Sequence, residues 1–235
     1  FEVCGVVSTG NAGSSIASYA ARAGLRSLIL SAETGASPKM THMEACSSDL
    51  LYYKGTYDEV IPLFDQLVEE RLVCDCGATR NPYKPEGKKT IALEVCEQMG
   101  WRVPDYLILP GAMFEIFISN WRCLSLLAEI GWIDRVPTLI LAQSSHANPV
   151  AKAFKEGTAI VPQRIGYTIA EGLAVGNPGL KGEWALRILQ EGGGLAEDAT
   201  DEEILAAQKL LARSEGIWAG PTGVSAVAVM IKLLE

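Results

Sequence analysis

Short apolar runs alternate along the chain with longer segments in which apolar residues recur every three or four positions. Runs of the first kind are typical of buried strands, and segments of the second kind are typical of helices with one buried face. The runs predict strands at residues 1–7, 27–31, 50–54, 72–76, 106–109 and 138–142. The periodic segments predict helices at residues 14–23, 38–46, 57–70, 89–99, 116–130, 149–155, 178–191, 201–214 and 224–234. Strands that alternate with helices indicate an α/β fold with parallel sheets and right-handed crossovers.

Proline and glycine divide this pattern into two parts. A turn-rich segment at residues 81–87 carries two prolines, and Pro104 breaks the chain before the apolar run at 106–109. We expect a smaller α/β domain at residues 1–95 and a larger one at residues 96–235. The chain begins with Phe1 inside an apolar run and stops in an apolar helix that has no C-cap glycine. Further sequence is therefore expected at both ends.

Charge and hydropathy narrow the range of partners. The 235 residues carry a formal net charge of −8, so long-range repulsion disfavours a nucleic-acid partner. The apolar runs are far shorter than the roughly 20 residues that a membrane-spanning helix needs, so no membrane anchor is expected. With 49% hydrophobic and 20% charged residues, the chain has the composition of a soluble globular protein. A small molecule is the expected partner.

The cysteines indicate a reducing compartment. Six cysteines lie in apolar or helical contexts rather than in evenly spaced loops, which is typical of a cytoplasmic protein. Cys74 and Cys76 flank one residue, but a structural metal site would need two further ligands, and the imidazoles on offer are His42 and His146 alone. No metal is expected.

The most informative segment covers residues 7–15 and reads Val-Ser-Thr-Gly-Asn-Ala-Gly-Ser-Ser. A predicted strand ends here in small residues and a predicted helix begins, so backbone N–H groups are left without helical partners. Such groups bind anions, and glycine lets a ligand approach the backbone closely. The alternative is an ordinary connection between a strand and a helix. The glycine spacing after Gly10 does not match the G-x-G-x-x-G dinucleotide fingerprint.

This segment is also the first of several that resemble one family. Ser8-Thr9-Gly10-Asn11, followed by Ala-Ser-Tyr-Ala-Ala-Arg-Ala-Gly-Leu, resembles threonine synthases and their pyridoxal-phosphate-dependent relatives of fold type II. Six further segments resemble the same family in the same order: residues 55–59 (GTYDE), 81–90 (NPYKPEGKKT), 131–137 (GWIDRVP), 176–178 (GNP), 201–204 (DEEI) and 215–218 (EGIW). Colinear motifs are more specific than any one of them.

The resemblance implies a fold of the tryptophan synthase β-like type, with two three-layer parallel-sheet domains, and pyridoxal 5′-phosphate as the cofactor. Asn11 matches the asparagine that hydrogen-bonds the phenolic oxygen of this cofactor. The residues that match the loop around the substrate's α-carboxylate are Ser8, Thr9, Gly10 and Ala12. This role agrees with the anion site expected from the loop itself.

Two further positions concern the substrate phosphate. Lys84 lies where the family often carries a basic residue, and Thr79 is a candidate hydroxyl partner. The alternative for Lys84 is a solvated lysine in a loop. The resemblance also implies a homodimer that acts on an amino-acid phosphate.

The chain departs from the family pattern after the predicted strand at 106–109. There the family has a loop rich in glycine and asparagine, whose amides wrap the cofactor phosphate. Gly111, Ala112 and Met113 match that loop, but Phe114 and Glu115 follow them. Bulk and negative charge oppose phosphate binding if they face it, so we expect weak cofactor retention. The alternative is that Gly111 makes the turn and the remaining residues begin a core helix.

Two other family residues have no match, because the lysine that carries the cofactor precedes the loop at 8–12 and the partner of the pyridine nitrogen follows residue 235. The resemblance implies threonine synthase, which converts O-phosphohomoserine and water to threonine and phosphate. One alternative is a related lyase, such as cysteate synthase or a serine or threonine dehydratase. The other is a noncatalytic homologue that acts as a binding or structural subunit.

Overall fold

The computed structural model describes residues 3–8, 10–32, 38–55, 57–77, 81 and 83–235. The chain divides into two compact units, Phe1–Lys84 and Pro85–Glu235, which we call the smaller and the larger unit. Each contains a parallel sheet flanked by helices, so the predicted α/β class is confirmed. The expected boundary at residue 95 falls inside a helix that packs on the helix Glu115–Glu129, and this packing assigns it to the larger unit.

The smaller unit contains β1 (Val3–Val7), α1 (Asn11–Ala23), β2 (Arg26–Ala32), α2 (Pro38–Ala45), β3 (Asp49–Tyr53), α3 (Tyr57–Glu69) and β4 (Cys74–Asp75). The strands described pair in the order β3-β2-β1-β4, all parallel. Adjacent residues of the central strands face opposite sides of the sheet. Val6 and Ile29 pack with α1 and α2 on one side, whereas Val7 and Leu30 pack with Phe64 of α3 on the other. The unit therefore has three layers.

The boundary between the units falls within the helix α4 (Tyr83–Lys88), so the larger unit begins at Pro85 in this helix. Its elements are α5 (Thr90–Gln98), β5 (Tyr106–Pro110), α6 (Glu115–Glu129), β6 (Thr138–Ser144), α7 (Pro149–Glu156), a 3-10 turn (Glu171–Leu173), α8 (Gly179–Glu191), β7 (Leu195–Ala199), α9 (Asp201–Glu215) and α10 (Pro221–Leu234). The described strands pair in the order β5-β6-β7, all parallel. Leu139 and Leu141 face a core formed with α6, α7 and α8, while Ile140 and Ala142 face α9 and α10.

Neither β7 nor α4 was predicted from the hydrophobic pattern. β7 reads Leu-Ala-Glu-Asp-Ala, and its two acidic side chains are held by Lys155 of α7, which donates to Asp198 at 2.6 Å and to Glu197. Because these charges are paired, the strand tolerates polar residues. α4 contains Pro85 and Gly87, which are typical of loops.

The helix α9 begins with a capping box. Thr200 Oγ1 accepts a hydrogen bond from the Glu203 amide at 3.2 Å, and Glu203 Oε2 accepts one from the Thr200 amide at 2.7 Å. Two otherwise unpaired N–H groups are satisfied in this way.

No helix within the residues that the structure describes is long and apolar enough to cross a membrane. The same residues contain no group of three or more histidine, cysteine, aspartate or glutamate side chains arranged to hold a metal ion. All six cysteines are free thiols.

Candidate functional site

The first candidate loop joins β1 to α1 in the smaller unit. Ser8 follows β1 and is 8% exposed, and its Oγ accepts hydrogen bonds from the amides of Gly10 at 3.1 Å and Gly13 at 3.0 Å. The side chain of Ser8 therefore closes the turn and satisfies part of the amino end of α1. The conformation of this loop is therefore held by specific hydrogen bonds.

The amino end of α1 is open to an anion. Asn11 is the first residue of α1 and is exposed, and its amide and that of Ala12 donate to no acceptor among the described residues. A Cβ placed on Gly10 would lie 3.6 Å from Lys39 Nζ, so an ammonium group of α2 lies beside this turn. Positive helix-end charge and a lysine together favour a carboxylate or phosphate.

Lys39 was missed by sequence reasoning. It lies in α2, and α2 packs on α1 within the smaller unit. No sequence motif links a lysine there to a turn about thirty residues earlier. Its position becomes visible once the two helices are packed together.

The remaining predicted substrate contacts are less well defined. Thr9 and Thr79 lie outside the described residues. Lys84 is half-buried in the first turn of α4. Asn81, in the same segment, binds the backbone: its Oδ1 accepts from the Tyr83 amide at 2.9 Å. The role of Lys84 toward a substrate phosphate stays a prediction.

The second candidate loop joins β5 to α6 in the larger unit. The Gly111 amide donates to the Ala142 carbonyl at 2.9 Å, which keeps this residue in line with the sheet. A Cβ on Gly111 would overlap Leu141 Cδ1 and would lie 2.8 Å from Phe114 Cε1. A side chain at position 111 would therefore force the buried side chains of Leu141 and Phe114 to shift.

The side chain of Gln143 in β6 holds this loop by a hydrogen bond, and no sequence motif points to this role. It is 1% exposed, and its Nε2 donates to the Gly111 carbonyl at 3.1 Å. Its Oε1 accepts from the amides of Val150 at 3.1 Å and Ala151 at 2.8 Å at the start of α7. One side chain thus ties the β5–α6 loop to the next helix.

Phe114 and Glu115 do not project freely from the loop. Phe114 is 3% exposed and packs in the core, although its backbone is left-handed with φ 58°. That conformation is uncommon for a bulky residue and carries strain. Glu115 begins α6 as a buried residue whose carboxylate binds Lys88 and Lys181. Phe114 thus takes the left-handed position of the turn and enters the core, and Glu115 begins the buried helix α6.

The two loops fit pyridoxal phosphate unequally. The loop at Ser8 offers small residues, open amides and a nearby ammonium group, so it fits an anionic group. In the other loop, Ala112 and Met113 are half-buried with amides that meet no acceptor within the described ranges. The next two residues are Phe114, whose ring is buried, and Glu115, whose carboxylate is already paired with two lysines. This loop does not fit a phosphate in the way the resemblance implied.

Three thiols lie close together at the edge of the smaller sheet. Cys4 of β1 pairs in register with Cys74 of β4, and the Cys76 amide donates to the Gly5 carbonyl at 2.8 Å. Burial raises the pKa of Cys76 to about 12, with further contributions from the neighbouring thiols of Cys4 and Cys74. Cys76 is therefore protonated at neutral pH.

The similarity to known proteins extends over both units. The family model described as "Pyridoxal-phosphate dependent enzyme" matches residues 2–235. The chain is 37% identical to the threonine synthase of Methanocaldococcus jannaschii over 236 aligned residues, which cover 100% of this chain and 58% of that protein. It is 34% identical to the threonine synthase of Methanosarcina acetivorans, covering 97% of this chain and 56% of that one. The chain thus spans a little over half the length of these relatives.

Solved structures show the same fold at lower identity. A threonine deaminase from the organism abbreviated T.th. matches with a TM-score of 0.80 at 19% identity, covering 98% of this chain and 72% of the other. A maize serine racemase matches with a TM-score of 0.77 at 18% identity, covering 96% of this chain and 67% of the other. At such identities the likeness concerns the fold alone, and it confirms the predicted tryptophan synthase β-like architecture.

Proposed function

Because the chain belongs to the family of pyridoxal-phosphate dependent enzymes, we propose that it is a threonine synthase, which converts O-phosphohomoserine and water to threonine and phosphate. The observation that carries this proposal is the 37% identity to a threonine synthase along the whole of this chain. Pyridoxal 5′-phosphate is the proposed cofactor, and when bound it supplies the electron sink that such eliminations need.

The described residues divide the proposed work between the two loops. Asn11 is the proposed partner of the cofactor's phenolic oxygen, since it is exposed at the amino end of α1. The turn that Ser8 closes, with Gly10 and Ala12, is proposed to hold the substrate carboxylate, and the ammonium group of Lys39 adds charge of the right sign. Thr9, Thr79 and Lys84 keep their proposed roles toward the substrate. Gly111, Ala112 and Met113 keep a proposed place beside the cofactor, but their loop does not fit the cofactor phosphate.

A noncatalytic homologue is the second candidate, and one observation favours it. The loop after β5 holds the Glu115 carboxylate between two lysines where the family is expected to present amides to phosphate. A related lyase, such as cysteate synthase or a serine or threonine dehydratase, would share the same loop at Ser8. We propose a cytoplasmic homodimer in each catalytic case.

The test is a substrate comparison with the full-length protein and added pyridoxal phosphate. O-Phosphohomoserine should yield threonine and inorganic phosphate in equal amounts, measured by chromatography and by a phosphate assay. Keto acid from serine or threonine, without threonine from O-phosphohomoserine, would instead identify a dehydratase. No product from any of these substrates, with no cofactor absorbance, would favour the noncatalytic homologue.

A further inference from the structure

One buried carboxylate of the larger unit lies between two lysines from different helices. Glu115 Oε2 lies 2.6 Å from Lys88 Nζ of α4, and Glu115 Oε1 lies 2.7 Å from Lys181 Nζ of α8. The Glu115 side chain is 2% exposed, whereas those of Lys88 and Lys181 are 30% and 20% exposed. Each carboxylate oxygen therefore accepts a charge-assisted hydrogen bond at short range.

The charges around Glu115 are those of an oxyanion site. Two ammonium groups against one carboxylate leave these three side chains with one net positive charge. Glu115 is also the first residue of α6, where the positive end of the helix dipole favours negative charge. Two cations and a helix amino end are the recognition elements that proteins use for phosphate and sulfate.

The loop before Glu115 is held in a fixed form. The backbone of Phe114 is left-handed, and its ring is buried beside Gly111 in the core. This packing of the ring holds the strained backbone in place. Glu115 follows at once and is anchored by both lysines. A loop fixed at two successive residues cannot rearrange to place new amides around a ligand without loss of both anchors.

We propose that Lys88, Lys181 and the amino end of α6 form an oxyanion-binding site that this chain fills with its own Glu115 carboxylate. The occupant is internal, so the loop at residues 111–114 excludes the phosphate group of a free ligand. Removal of the Glu115 side chain opens the site to inorganic phosphate, because the partly exposed lysines can move outward to admit it.

The test uses the full-length protein without cofactor, with inorganic phosphate as the probe. Isothermal titration at constant ionic strength compares the wild type, Glu115→Ala and the control Glu183→Ala, which removes an exposed carboxylate of α8. Glu115→Ala should bind phosphate at least about tenfold more tightly than the wild type, since two charged donors become available. Addition of Lys181→Ala to Glu115→Ala should return the affinity to that of the wild type.

Equal phosphate affinity in the wild type and Glu115→Ala overturns the proposal, and so does a double variant that still binds. Thermal unfolding gives a second readout: phosphate should raise the Tm of Glu115→Ala and leave that of the wild type unchanged. If Glu115→Ala does not fold in sodium chloride, recovery of folded protein in phosphate supports the proposal. Failure to fold in both salts overturns it, because phosphate then does not replace the carboxylate.

A further consequence rests on the proposed function. If the wild-type loop excludes phosphate, pyridoxal and pyridoxal phosphate should bind to the full-length protein with affinities within about tenfold of each other. Absence of binding by both would reject the proposed cofactor and leave the phosphate titration of Glu115→Ala intact. The two ideas therefore fail separately.

Discussion

Replacement of Gln143 by leucine should remove the clamp that joins the β5–α6 loop to α7. The side chain makes three hydrogen bonds, one to the Gly111 carbonyl and two from the amides of Val150 and Ala151. Leucine has a similar volume but offers neither donor nor acceptor. The substitution thus leaves three backbone groups without partners in a site where Gln143 is 1% exposed.

Each buried polar group left unpaired costs about 1–3 kcal/mol. The two α7 amides share a single acceptor, Oε1, so we expect a total loss of about 3–5 kcal/mol in the free energy of unfolding. Urea unfolding followed by circular dichroism measures this loss. Gln98→Leu is the matched control, because it removes one exposed hydrogen bond to Glu94 on α5 and should cost about 0.5 kcal/mol or less.

A loss below about 1 kcal/mol for Gln143→Leu would refute this reasoning, since it would mean that water or a local shift satisfies all three groups. The variant has a second expected effect. Without the hydrogen bond from Gln143, Gly111 is held by the hydrogen bond from its own amide to the Ala142 carbonyl and by packing, so the loop should become more mobile. Faster hydrogen exchange in residues 111–114 than in the Gln98→Leu control would show this directly.

Three smaller perturbations test other parts of the structure. Thr200→Ala removes the side chain that caps α9 and should lower the free energy of unfolding by about 1 kcal/mol, whereas Thr200→Ser should not. Burial raises the pKa of Asp198, but hydrogen bonds from Lys155 and its neighbours outweigh this and hold the pKa below its ordinary value. The resulting stability is present above the unfolded-state pKa of about 4 and is lost as pH falls through the lower folded-state pKa. The free energy of unfolding, measured with urea, should therefore fall on acidification, and it should fall less steeply in Lys155→Met. Cys76, with a pKa of about 12, should be alkylated by iodoacetamide at pH 8 far more slowly than a free model thiol, and equal rates would contradict the assigned environment.

The architecture was predictable because the strands and helices carry strong periodicity. Val6 and Val7, or Leu139 and Ile140, face opposite cores as adjacent residues of a buried parallel strand must. β7 escaped prediction because its charges are satisfied by Lys155, which lies more than forty residues earlier in the chain. Local pattern carries no information on such a partner.

The candidate site likewise has one part that could be predicted from the sequence and one part that could not. The turn at Ser8 could be recognised because small residues between a strand and a helix leave amides open, and the structure adds the cap by Ser8 and the nearby Lys39. The environment of Glu115 could not be predicted, since its partner Lys181 is 66 residues away and the burial of Phe114 turns the loop inward. The sequence shows that Phe114 is bulky and Glu115 is charged, but the direction in which their side chains point depends on the fold.

The measurement that tests the central claim most directly is cofactor binding by the full-length protein. With pyridoxal phosphate kept in excess, the wild type should show an absorbance band near the edge of the visible range, distinct from that of the free cofactor, that borohydride removes. Asn11→Ala should bind the cofactor about fivefold or more weakly, because a hydrogen bond of about 1 kcal/mol or more to a charged oxygen is lost. Ser15→Ala, an exposed change on the same helix, should match the wild type. Absence of the band after reconstitution, or unchanged affinity in Asn11→Ala, would contradict the account.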